Sequence, residues 1–114
     1  MEILEYLLTI SPKMNRSKSK LPKSIEMFGQ KYEVILREDL ENDNSAFGLA
    51  KFKAKQILID ASLDYSQQIS TLIHEIIEVA NESLELGLEH KVICALEASI
   101  HQGLVSGGLV NVER

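Results

Sequence analysis

The feature that most constrains this chain is a capped, one-sided helix that begins near residue 64. Asp64 stands three residues before Gln67, the spacing at which two side chains satisfy each other's free backbone donors at a helix start. Beyond it, Ile69, Leu72, Ile73, Ile76, Ile77 and Ala80 recur at offsets of 0, 3, 4, 7, 8 and 11. That spacing draws an apolar stripe along one side of a 3.6-residue helix, which must therefore lie on a core. Leu86-Gly87-Leu88 supplies the glycine stop.

A second helix is expected over residues 89–103, with Val92, Ile93, Leu96, Ile100 and Leu104 as its apolar set. Gly103, Gly107 and Gly108 end it, and the residues after it fray or add a short strand. Upstream, the apolar period changes from 3.6 to 2. Ile25, Met27 and Phe28 lead to a two-residue turn at Gly29-Gln30, after which Tyr32, Val34 and Leu36 alternate with Lys31, Glu33 and Arg37. This is a hairpin pattern. Residues 39–45 carry Asp39, Asn42, Asp43, Asn44 and Ser45, which is turn chemistry. Residues 46–52 and 56–60 read as a second strand pair around residues 53–55, with Ile57 and Ile59 on one face. Residues 2–9 have the pattern of a short helix that Ser11-Pro12 ends.

The expected fold is α+β: a small, mainly antiparallel sheet of two hairpins, with two long antiparallel helices packed on it. The division is a helix and basic flexible segment over 1–23, the α+β domain over 24–105 and a tail over 106–114. A chain of 114 residues supports one modest core. No apolar run approaches the roughly 18 residues of a membrane span, and Glu2 and Glu5 interrupt the only apolar start. The single Cys94 leaves no disulfide framework, and a reducing cytoplasmic setting is the simplest reading.

Charge is unevenly spread. Lys13, Arg16, Lys18, Lys20 and Lys23 stand together, leaving seven positive against 17 negative charges elsewhere. Such a basic run could touch a phosphate backbone. No aromatic interleaves it, however, and the acidic remainder repels nucleic acid, so a solvated segment is the better reading.

The first helix carries His74-Glu75-Ile76-Ile77-Glu78. The metalloprotease pattern His-Glu-x-x-His sets two imidazoles four residues apart with a glutamate general base between; here Glu78 replaces the second histidine. His74 and Glu78 share one face, and Glu75 lies about a hundred degrees round, where it reaches a metal-bound water without ligating. On the second helix His90, Cys94, Glu97 and His101 recur at offsets of 0, 4, 7 and 11. Antiparallel packing lets the two faces meet. Zinc takes three protein ligands and an open position: His74, Glu78 and Glu97 can supply them, with His90 as substitute or fourth ligand. The bland reading sets Glu78 and Glu82 as solvated helix charges, His74 as a rim residue, Cys94 as a small buried hydrophobe and His101 on the outer end of its helix. By chance the HExxE pattern arises roughly 0.04 times in a chain of this composition, which is informative without being diagnostic.

Gln56-Ile57-Leu58-Ile59-Asp60, followed by Gln67-Gln68-Ile69-Ser70-Thr71-Leu72-Ile73-His74-Glu75, resembles the strand-then-helix core of small phage- and prophage-encoded minimal zincin-like proteins. These are gluzincin-type relatives of the ImmA/IrrE metallopeptidases. Residues 88–102 resemble the second helix of a prophage subgroup with HExxE in place of HExxH, and residues 25–36 its opening hairpin. The resemblance covers roughly residues 24–105. It implies His74 as first metal ligand, Glu75 as general base, Glu78 in the second ligand place and Glu97 near the third. Two functions follow: a zinc-dependent peptidase acting on a peptide or protein substrate, or a catalytically inactive zincin-like module that binds or regulates a protein partner.

Overall fold

The computed structural model describes residues 20–38, 40 and 47–112. The expected helix over 2–9, most of the basic segment and the 39–45 turn lie outside these, apart from Leu40. Four strands form one sheet: β1 (Ser24–Met27), β2 (Gln30–Arg37), β3 (Gly48–Lys51) and β4 (Gln56–Asp60), in the order β1-β2-β4-β3. Two helices follow, α1 (Tyr65–Leu84) and α2 (His90–Ser106).

The fold is α+β, as expected, and the sheet is mixed. β1 pairs antiparallel with β2 and β3 with β4, but the central β2–β4 pairing is parallel. The first turn falls one residue earlier than its glycine suggested. Met27 pairs with Gln30, and Phe28 and Gly29 make the turn with φ of 55° and 75°. Two consecutive left-handed residues match the right-handed twist of the flanking strands.

The α1 face of the sheet is the alternating set foreseen in β2. Tyr32, Ile57, Ile59, Leu72, Val79 and Leu21 form the buried cluster, with Val34, Leu36, Ile69 and Ile76 packed against it. Asp60, at the end of β4, is buried and accepts from the Ser62 backbone N–H (2.9 Å) and hydroxyl (2.8 Å), which shapes the turn into α1.

The start of α1 follows the capping box. Asp64 Oδ1 accepts from the Gln67 backbone N–H at 2.8 Å, and the Gln67 side chain accepts from the Asp64 N–H at 3.4 Å. Asp64→Ala should therefore cost about 1 kcal/mol in urea unfolding; an unchanged midpoint would contradict the cap. The helix stops at Glu85 in the left-handed region (φ 52°), two residues before the glycine expected to end it. Asn81 then ties the connection down, accepting from the Leu88 N–H at 2.9 Å.

The core side of α1 differs from the foreseen stripe. Its buried residues are Gln68, Thr71, Leu72, Ile73, Glu75 and Val79, whereas Ile69, Ile76, Ile77 and Ala80 are only partly buried. Ile69 and Ile76 of the stripe pack against the core cluster, and the fully buried residues also include a threonine, a glutamine and a glutamate. α2 runs antiparallel along α1, with Ser66 opposite His101 and Asn81 opposite Leu88, so the helix pair sits on the sheet through α1. It starts at the expected place but runs through Gly103 to Ser106. Only Ile93 is fully buried there, while Val92, Leu96 and Ile100 are 37–41% exposed, contrary to their expected core role. Among the described residues no helix is long and apolar enough to cross a membrane.

Candidate metal centre

α1 supplies His74 and Glu78 one turn apart with Glu75 between them, and α2 supplies His90, Cys94 and Glu97 opposite them. Antiparallel packing brings all four foreseen ligand candidates together. His74 Nδ1 lies 2.8 Å from Glu97 Oε1, and His74 Nε2 lies 3.3 Å from Glu78 Oε2. The His74 and His90 rings meet edge to face with centroids 5.5 Å apart. Donor atoms of His74, Glu78 and His90 lie within 4.8 Å of one another, as do those of His74, Cys94 and Glu97.

The two sets differ in chemistry. Ser70 donates its hydroxyl to Glu97 Oε2, and Glu97 Oε1 faces His74 Nδ1. A carboxylate that holds one ring nitrogen of a histidine fixes the tautomer and directs the other nitrogen to a metal. If Nδ1 carries the proton and donates it to Glu97, Nε2 is the nitrogen left to ligate, 3.3 Å from Glu78 Oε2. Two neutral imidazoles and one carboxylate with an open position suit zinc. Glu97, the foreseen third ligand, falls in the set with His74 and Cys94, and His90 in the set with His74 and Glu78. In the other set His74 would surrender the Glu97 hydrogen bond to ligate.

Two hollows of about 330 and 320 Å³ share Gly48, His74, Glu75 and His90. Glu97 lines one, with Phe47 and Cys94, and Glu78 the other, with Ala50 and Phe52. Among the described residues lining them are three glutamates and no lysine or arginine. The carboxylates of Glu78 and Glu97 favour a cation there, and the donor types fit a zinc ion.

Glu75 is only 6% exposed, on the buried row of α1 beside Gly48 of β3. Burial raises its pKa to about 7; His74 opposes the rise, and Glu78 and Glu97 add to it. A carboxyl group poised near neutrality suits proton transfer.

His101, expected on the outer end of its helix, reaches Ser66 at 3.3 Å and stands apart from the cluster. Cys94 is exposed, with Sγ 3.3 Å from His90 Nε2, instead of being a buried hydrophobe. Ser70 was missed, although its place one turn before His74 was a readable signal. Thr71, Phe47 and Gly48 carried none, because their relation to the site is tertiary.

No family model, no curated protein and no solved structure matches this chain. The site's own geometry therefore carries the functional reading.

Proposed function

We propose that the chain is a zinc-dependent hydrolase of amide bonds, of the zincin-like class that its HExxE helix resembles. The observation that carries this is the convergence of His74, Glu78 and His90 donor atoms within 4.8 Å, beside a buried Glu75. A zinc ion held by His74, Glu78 and His90 would supply an acidified water and polarise a scissile carbonyl. Glu75 takes the proton of the attacking water and returns it to the departing amine, the transfer for which its raised pKa prepares it. Glu97 and Ser70 keep His74 in one tautomer. β3 is an edge strand, and its residues line the hollow beside His74. An extended peptide pairing with that edge would lay its backbone across the site. A reducing compartment fits a chain whose single cysteine is exposed.

One observation favours the second reading, a binding or regulatory module without catalysis. Both His74 nitrogens already face carboxylates, Glu97 and Glu78, so the cluster can close on itself as a polar helix interface. Glu75→Gln separates the two. It should retain zinc while lowering cleavage of a fluorogenic peptide library by about 10²–10⁴-fold. Cleavage that survives this change removes Glu75 from the proton transfer.

A further inference from the structure

Gly48 opens β3, paired with Ile59 of β4, and its backbone is outside the left-handed region. Conformation therefore does not require glycine there, and glycine within a strand sacrifices stability. Space does require it. A β-carbon at this position would lie 2.5 Å from Thr71 Cγ2, 3.0 Å from Glu75 Oε2 and 3.2 Å from the Leu58 carbonyl oxygen. At Gly29, Gly87, Gly103 and Gly108 it would meet nothing within 4 Å. The crowding at Gly48 thus belongs to the contact between the edge strand and α1.

We infer that Gly48 is a positioning residue for Glu75: the bare backbone of β3 is the wall against which the Glu75 carboxylate rests, and that wall fixes where the carboxylate sits beside His74. The Leu58 carbonyl belongs to the β4 backbone and yields little. A side chain at position 48 is therefore accommodated by Thr71 and Glu75, which share the buried row of α1. The catalytic meaning of this placement rests on the zinc-hydrolase reading. The steric claim does not.

The test compares wild type with Gly48→Ala, Thr71→Ser and Gly48→Ala/Thr71→Ser, all metal-free. It reads the melting temperature and, at a single pH, the side-chain carboxyl ¹³C signal of Glu75. Gly48→Ala should lower Tm by about 5–15 °C. Thr71→Ser removes the nearest methyl group and should recover much of that loss, while the Glu75 signal stays displaced in the double variant. In wild type, a nuclear Overhauser contact should join Gly48 Hα to the Glu75 side chain, a result that needs no variant to fold. Absence of that contact, or a wild-type Glu75 signal in the double variant, overturns the inference. A chain that takes up no zinc would remove the hydrolase reading and leave this result standing.

Discussion

Glu75→Gln is expected to stabilise the metal-free protein by about 3 kcal/mol at pH 8 and to change it little at pH 4. The carboxyl group is 6% exposed, and burial lifts its pKa from 4.5 to about 7. Between those values the folded chain holds a proton that the unfolded chain has released. The neutral carboxyl's favourable contribution is fully present below about pH 4.5 and is lost as pH rises through about 7. Around it, His74 favours the ionised form, whereas Glu78 and Glu97 oppose it. Glutamine cannot ionise, so the difference between variant and wild type isolates this one group. Urea unfolding at several pH values measures it. Parallel curves for the two proteins from pH 4 to 8 would show that Glu75 is solvated, and its assignment as a poised base would fall with them.

The second large effect concerns which side chains hold the metal. His74→Ala and His90→Ala should abolish stoichiometric zinc uptake at micromolar concentration. Glu97→Ala should retain zinc with an affinity weakened by about 10–100-fold. The expected ranking rests on the hydrogen bonds: Glu97 is engaged by Ser70 and by His74 Nδ1, so under the proposed reading its role is to orient His74. The opposite ranking, with Glu97→Ala abolishing uptake and His90→Ala sparing it, would move the metal to the His74, Cys94 and Glu97 set. Competition with a chromogenic chelator reads either outcome.

Much of this site was legible because helical spacing is local. The i, i+4 relation puts His74 and Glu78 on one face, the offsets of His90 and Glu97 put them on another, and a short connection makes the helices antiparallel. The capping box at Asp64 was readable for the same reason. What sequence did not show is rotation and depth. Ile69, Leu72 and Ile76 suggested an apolar core face and do pack on the core, yet the buried residues of α1 also include Gln68, Thr71 and Glu75. A stripe that serves two neighbours, sheet and α2, is wider than either contact, and its centre lies between them. The same ambiguity made Val92, Leu96 and Ile100 look like core. The parallel pairing of β2 with β4 was equally hidden, since it joins strands separated by β3. The reason for a glycine at position 48 is visible only from Thr71 and Glu75 across the interface.

The account rests most directly on one quantity, the zinc content of protein purified without a histidine tag and dialysed against micromolar zinc. One zinc ion per chain is expected, with a melting temperature that falls on chelation. Zinc at background level, together with a melting temperature indifferent to chelator, would contradict it and leave His74, Glu78, His90 and Glu97 as a polar contact between two helices.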